Sequence, residues 1–163
     1  RNGVKVQSIL TGGHQERMKR GGTTNVPAIV GFAKAFEIAE KELEQNFKYV
    51  SSLRDHFIDR VLNEVPFVKL NGPRQNRLPA NADFSFEFIE GESILFSLDL
   101  AGICVSSGSA CSSGSLEPSH VLLSLGLPEE LAHGSIRFSF GKHNTMEEVD
   151  AAVNALRELA AIE

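Results

Sequence analysis

The sequence predicts an α/β fold in two layers, an α+β sandwich in which helices cover one face of a sheet. Short segments in which apolar residues alternate with polar ones are interleaved with longer segments of helical period. No internal repeat is present. This mixture is typical of a sheet with helices packed on it. The connections between the strands leave parallel and antiparallel order open.

Composition supports a globular protein. Of the 163 residues, 42% are hydrophobic and 23% are charged, which excludes a disordered tail, a collagen and a coiled-coil rod. No apolar run reaches the roughly 18 residues that a membrane-spanning helix needs. The net charge of -5 provides no basic footprint for nucleic acid. We therefore expect no membrane or nucleic-acid partner.

The start of the chain and its cysteines bear on its origin. The chain begins at Arg1 without an apolar signal-peptide segment, so we expect a processed chain or a piece of a longer one. Cys104 and Cys111 are too few for a disulfide scaffold. Spacing alone allows a bridge between them, but sparse cysteine favours a reducing cytoplasm. Neither the cysteines nor the histidines have metal-ligand spacing, so no metal is expected.

The first third of the chain is expected to be a Gly-rich irregular segment, residues 1–25, and a helical region, residues 27–65. Apolar residues recur every seven positions in that region. If unbroken, the helix exceeds about 50 Å, against about 40 Å for a compact chain of this length. Two alternatives stay open: a kink near Ser51 and Ser52, or one helix that bridges two domains. The apolar positions are Phe36, Ala39, Leu43, Phe47, Val50, Leu53, Phe57 and Val61.

Beyond Pro66 the sequence predicts alternating strands and helices. Strands are expected at residues 67–70, 82–88, 103–105 and 135–140, and helices at 92–100, 118–125, after Pro128, and after the capping box Thr145–Glu148. Two consequences concern single residues. Cys104, between two apolar neighbours, is expected in the core. Alternation should place Phe84, Phe86 and Phe88 on one sheet face.

The same alternation applies to residues 135–140. Ile136, Phe138 and Phe140 should point toward the core, with Ser135, Arg137 and Ser139 on the opposite face. From the residues alone, Arg137 could be an ordinary surface arginine or a planar fork for a carboxylate.

The most informative segment is the Ser/Gly-rich loop at residues 106–115, which has Cys111 in its middle. Free cysteine usually prefers a core, so a cysteine in a flexible polar loop should be reachable by solvent. A mobile thiol suits a reaction that collects a group in one place and delivers it in another. An incidental exposed cysteine is the alternative on composition alone.

This loop resembles the active-site loop of NifS-like cysteine desulfurases, which are pyridoxal-phosphate (PLP) enzymes of the aminotransferase-like fold. The Ser-rich form is similar to the long-loop class associated with iron–sulfur cluster assembly, whereas selenocysteine-lyase-like relatives have a shorter, His-containing loop. Residues 12–25 resemble the family's G-G-x-Q-E-x-x-x-R-x-G-T-x-N segment. The other matching segments are residues 90–93, 116–119 and 135–139.

The resemblance implies an activity and a role for three residues. The activity is the PLP-dependent removal of sulfur from L-cysteine, which yields L-alanine and a persulfide on Cys111. Cys111 matches the catalytic persulfide carrier, Arg137 the arginine that binds the substrate carboxylate, and Thr23 the threonine that reaches the PLP phosphate of the partner subunit. Without the resemblance, Thr23 would be an ordinary turn residue. Arg20 could contact phosphate or pair with a carboxylate.

The resemblance also implies binding partners and the part of the enzyme that this chain represents. The expected partners are L-cysteine, a second subunit of a cytoplasmic homodimer, and a sulfur acceptor such as an iron–sulfur scaffold or a thiolation protein. The family anchors PLP on a lysine in an S-x-H-K-type motif, and none of the seven lysines has that context. We therefore expect the C-terminal portion of such an enzyme, inactive by itself. Its parts would be the tail of the large PLP domain (1–26), a bridging helix (27–65) and the small α/β domain (66–163).

Two alternative functions and two departures from the family pattern accompany this hypothesis. The chain could be a stand-alone sulfur carrier or interaction domain without catalysis, or part of a selenocysteine lyase, which the loop type disfavours. The departures are Ala80 and Asp83, where relatives often have Asn.

Overall fold

The computed structural model describes residues 3–5, 7–108 and 118–161. The chain divides into two units, Arg1–Leu43 and Glu44–Glu163, and the division falls inside one helix.

The first unit contains α1, Gln15–Met18, and the beginning of α2, Val26–Glu64. The Asn25 side chain caps α2, since its Oδ1 accepts a hydrogen bond of 3.1 Å from the backbone N–H of Ala28. Large apolar side chains on this part of α2, among them Phe32 and Phe36, are exposed. Among the described residues of this unit, no apolar side chain is buried.

The helix α2 is continuous over 39 residues and passes through Ser51 and Ser52 without interruption. Of the two alternatives left open by the sequence, the unbroken helix is therefore the observed one. Its bounds differ by one residue at each end from the expected 27–65. Its buried positions lie in the C-terminal half only, from Val50 to Val61. The proposed role of this helix as a bridge between domains stays a prediction.

The second unit is built on a four-stranded sheet. The strands are β1 (Val68–Leu70), β2 (Asn81–Phe86), β3 (Ser106–Ser107) and β4 (Ser135–Ser139). Their order is β1-β2-β4-β3, and every neighbouring pair is antiparallel. The helices of this unit beyond α2 are α3 (Gly91–Leu100), α4 (His120–Ser124), α5 (Glu129–His133) and α6 (Met146–Ala160).

The core lies between the sheet and three helices, α2, α3 and α6. Phe57 of α2 is fully buried, and its ring centroid lies 4.6 Å from that of Phe138 in β4 and 5.9 Å from that of Phe84 in β2. Aromatic contacts of this kind contribute beyond the area they bury. The predicted capping box of α6 is present at Thr145 and Glu148. The predicted mixed fold of sheet and helices is confirmed.

The prediction for residues 103–105 is wrong. The strand is displaced to Ser106–Ser107, and Cys104 is exposed rather than in the core. The reason is the end of α3, which turns through Gly102 at φ +77° and is closed by a hydrogen bond from Ile103 N–H to Leu98 O. Ile103 then packs partly against the core, which leaves Cys104 pointing outward.

Two further expectations for single residues fail for local reasons. Phe88 is 78% exposed, because β2 ends at Phe86 and Phe88 has left-handed backbone geometry, φ +66°. Its ring packs edge-on against Phe67 at 5.4 Å. Ser135 is buried rather than outward, since its hydroxyl donates to the carbonyl of Ala132 at 2.8 Å.

Candidate functional site

Arg137 lies at the middle of β4 and projects from the sheet face opposite the core. Its chain neighbours Ile136 and Phe138 are buried, whereas Arg137 is exposed. Across the strands it lies opposite Asp83 of β2 and Ser106 of β3. The expected outward orientation of Arg137 is therefore observed, and its planar guanidinium is available to bind a carboxylate through two parallel hydrogen bonds.

Asp83 is the acidic neighbour of Arg137 on this outer face. Its Oδ1 accepts a hydrogen bond of 2.6 Å from Nδ2 of Asn71. Burial raises the pKa of the Asp83 carboxyl, while this hydrogen bond and the positive charges of Arg137 and Arg77 act in the opposite direction. Burial is the largest of these influences, so the pKa lies above the usual aspartate value.

Asn71 and Arg77 support Asp83 from the segment between β1 and β2. Asn71 is 3% exposed, and its backbone N–H donates to the carbonyl of Asp83 at 2.8 Å. Arg77 in turn donates from Nη2 to the carbonyl of Asn71 at 2.5 Å. The sequence pattern indicates neither residue, because Asn71 precedes Gly72 and Pro73, a combination that is typical of an ordinary turn. The motif match alone could not have indicated them.

Thr23 lies in the first unit at a shallow surface depression that Arg20, Asn25 and Ile29 also line. Its side chain is exposed and makes no hydrogen bond within the described part of the chain. Arg20 instead holds the turn, donating to the carbonyl of Gly22 at 2.8 Å and to the Thr24 hydroxyl at 3.0 Å. Nη2 of Arg20 also lies 3.9 Å from Oε1 of Glu16. Arg20 is therefore engaged within the turn, whereas the Thr23 hydroxyl is available to donate a hydrogen bond to a ligand.

The donor set around Thr23 fits one end of PLP. A phosphate needs hydrogen-bond donors, and Thr23 offers a hydroxyl with no competing partner among the described residues. No lysine lines this depression in the described part of the chain. The Thr23 hydroxyl could therefore donate to the phosphate of PLP, although the carboxylate of Glu16 also lines the depression, and no described residue there could hold the aldehyde as a lysine amine does in PLP enzymes.

Cys111 lies outside the described residues, so its predicted role stays a prediction. The segment that leads to it can be followed as far as Gly108. A Cβ atom at that position would overlap the Ser135 hydroxyl and lie 2.9 Å from Cδ1 of Leu122. A larger residue at this position would therefore require the side chains of Ser135 and Leu122 to shift.

Residues 3–5, 7–108 and 118–161 contain neither a membrane-spanning helix nor a metal-binding cluster. No helix there combines the length and the apolar character needed to cross a bilayer. No group of three or more His, Cys, Asp or Glu side chains is arranged to hold a metal ion.

The fold agrees with the comparisons with known proteins. Residues 4–152 match the sequence model of the aminotransferase class-V family, and the chain belongs to that family. This family is PLP-dependent, as the resemblance implied. The similarity to NifS-like cysteine desulfurases is also confirmed by individual relatives.

Among curated proteins, the chain is 50% identical over 159 residues to a "Cysteine desulfurase IscS" of Dictyoglomus turgidum, a match that covers 98% of this chain and 40% of the relative. It is 49% identical over 161 residues to a protein of the same name from Clostridium botulinum, covering 98% and 41%. The chain thus spans about 40% of the length of the curated relatives it matches.

Solved structures of NifS-like proteins are also similar to this chain. A "NifS-like protein" superposes with a TM-score of 0.84 at 35% identity, covering 100% of this chain and 41% of that one. A NifS-like protein from Rickettsia africae has a TM-score of 0.82 at 31% identity, covering 96% and 40%.

Proposed function

We propose that this chain is the C-terminal part of a PLP-dependent cysteine desulfurase, which converts L-cysteine to L-alanine and leaves a persulfide on Cys111. The observation that carries the proposal is the pairing of β3 with β4. The strand that leads into the Cys111 segment is paired with the strand that carries Arg137, through Ser106 opposite Arg137. A sulfur carrier and a carboxylate-binding group are thereby joined by neighbouring strands of one sheet.

In the proposed reaction, Arg137 binds the carboxylate of L-cysteine and fixes the orientation of the substrate. Thr23 donates to the phosphate of the cofactor bound to the partner subunit. When bound, PLP supplies an electron sink that weakens the substrate's carbon–sulfur bond. The Cys111 thiolate attacks the substrate sulfur, so that an S–S bond forms as the C–S bond breaks. The substrate carbon takes the bonding electrons and a proton, giving L-alanine.

The setting of the activity belongs to the same proposal. We infer a cytoplasmic homodimer that passes the sulfur to an acceptor protein, such as an iron–sulfur scaffold or a thiolation protein. We also infer that residues 1–26 end the large PLP domain, that 27–65 form the bridging helix, and that 66–163 form the small domain. The names of the curated relatives support the desulfurase activity and the transfer of sulfur that this setting serves.

The test uses the product of the complete reading frame that encloses this chain. We expect the complete protein to form L-alanine from L-cysteine. Cys111→Ser should lower turnover by about 1,000-fold or more, because serine cannot replace the thiolate that takes up the substrate sulfur. Cys104→Ser is the matched control, since Cys104 is the other cysteine of the chain and is exposed, and it should keep wild-type turnover. The measurements are alanine release and persulfide labelling.

Several results would overturn the proposal. Undiminished turnover in Cys111→Ser would remove the carrier role. Absence of turnover in the complete protein, together with uptake of sulfur onto Cys111 from a persulfide donor, would favour a stand-alone carrier. A large preference for selenocysteine over cysteine would favour a selenocysteine lyase.

A further inference from the structure

The outer face of the sheet places a carboxylate directly beside the predicted substrate-binding arginine. In the register of β2 and β4, Asp83 is opposite Arg137, between the buried pairs Ala82–Phe138 and Phe84–Ile136. Residues directly opposite on antiparallel strands share a face, with their Cβ atoms about 5 Å apart. The two residues are thus neighbours by backbone register, and Arg137 acts on the Asp83 charge from a greater separation than a direct ion pair.

The surroundings of Asp83 contain a second cation. Arg77 uses Nη2 on the carbonyl of Asn71, while its Nε and Nη1 are buried and make no hydrogen bond within the described part of the chain. Arg77 and Arg137 both act on the Asp83 charge. The carboxylate therefore lies between one exposed and one partly buried guanidinium.

We propose that Asp83 is the internal counter-ion of Arg137 and a positioning residue that sets how tightly Arg137 binds the substrate carboxylate. This inference rests on the proposed function, in which Arg137 holds the carboxylate of L-cysteine. An ionised Asp83 competes with the substrate for the guanidinium. An Asn at this position could hydrogen-bond but would carry no charge, so the Asp83 carboxylate is a competitor that an amide would not provide.

The competition depends on pH in one direction. The groups that face Asp83 are Arg137 from β4 and Asn71 and Arg77 from the segment between β1 and β2. Asn71 does not titrate, and both arginines remain charged over the working range. As the pH falls through the pKa of Asp83, the carboxylate is neutralised and Arg137 is released. The affinity for a carboxylate ligand should therefore rise as the pH falls.

The first experiment measures the coupling of the two charges in the 163-residue chain. The carboxyl carbon of Asp83 is titrated by NMR in the wild type, in Arg137→Gln and in Lys69→Gln. Removing the facing cation should raise the pKa of Asp83 by about one unit. Lys69 is the matched control, because it is exposed on the same face but lies opposite Ser85. Equal pKa values in all three chains would overturn the proposal.

The second experiment measures ligand binding without PLP or turnover. L-cysteine is titrated while the Nε–H resonance of Arg137 is observed, with L-cysteine methyl ester as the probe that lacks a carboxylate. At pH 7, Asp83→Asn should bind L-cysteine about three- to five-fold more tightly than the wild type, the range for a partly exposed ion pair. The difference should vanish below the pKa of Asp83, and the ester should bind neither chain measurably.

The outcomes separate this inference from the proposed function. Unchanged or weaker binding by Asp83→Asn, with an intact amide spectrum, overturns the inference even if the complete protein is an active desulfurase. Conversely, tighter carboxylate binding by Asp83→Asn supports the counter-ion role even if desulfurase turnover is absent.

Discussion

Asp150 of α6 contacts two side chains of α2 on the protein surface. Its Oδ1 lies 2.7 Å from Nε2 of His56 and accepts a hydrogen bond of 2.8 Å from Nη1 of Arg60. The bond to His56, followed by that to Arg60, holds the pKa of the Asp150 carboxyl below its usual value. Arg60 also donates two hydrogen bonds to the Glu64 carboxylate, from Nε at 2.6 Å and from Nη2 at 2.8 Å. One carboxylate thus engages two side chains of the long helix.

The lowered pKa predicts a pH-dependent contribution to stability. Because the folded chain favours the ionised form of Asp150, its contribution is present above the usual aspartate pKa and is lost as the pH falls through the lowered folded value. Asp150→Asn should therefore lower the urea midpoint at pH 7, and wild type and variant should converge at low pH.

Asp99→Asn is the control for that measurement, since Asp99 is exposed in α3 and its carboxylate has no partner in the described part of the chain. It should leave the midpoint unchanged at both pH values. A difference between wild type and Asp150→Asn that persists unchanged at low pH would contradict the assignment.

At the scale of elements, α6 owes its start to its capping box. The Thr145 hydroxyl accepts from the backbone N–H of Glu148 at 3.3 Å, and the Glu148 carboxylate accepts from the N–H of Thr145 at 3.1 Å. Thr145→Ala should destabilise the chain by about 1 kcal/mol, measured by urea unfolding. Thr145→Ser keeps the acceptor oxygen and should lose much less. Equal losses in the two variants would show that the cap does not act through this hydrogen bond.

The elements differ in how far the sequence predicts them. The helix α6 was predictable because a capping box precedes a continuous apolar stripe, and β4 because its alternation is regular. The strand β3 was not, since two serines at a sheet edge have no periodicity of their own. The left-handed turn at Phe88 likewise overrides an alternation that the residues alone would continue.

The candidate site was predictable only in part. Thr23, Cys111 and Arg137 follow from motifs in the sequence. The Asn71–Asp83–Arg77 group does not, because it depends on strand register and on the closure of the segment between β1 and β2. Tertiary pairings of this kind leave no pattern in the local sequence.

At the scale of the whole molecule, every buried apolar side chain among residues 3–5, 7–108 and 118–161 belongs to the second unit. Along α2, Val50, Leu53, Phe57, Ile58 and Val61 are buried, whereas apolar residues before Leu43 are exposed in the described chain. Burial of apolar surface, rather than helix propensity, provides most of a helix's stability in a protein. The stability of α2 should therefore be uneven along its length.

Hydrogen exchange followed by mass spectrometry tests this prediction. Amides of residues 28–43 should exchange at least about 100-fold faster than those of residues 50–61, because only the latter require opening of the core. The matched reference is α6, which is buried along its stripe and should exchange like residues 50–61. Uniform protection along the whole of α2 would contradict the prediction.

The position of β3 at the edge of the sheet determines how easily this strand can detach. An edge strand has one neighbour, and β3 pairs with β4 through Ser106 and Ser107 alone. Detaching it would leave the buried side chains of β2 and β4 in place. The two released residues would add about 7 Å of extended chain before Gly108. The sheet edge therefore holds a short length of chain beside Arg137 that can be released without unfolding the core.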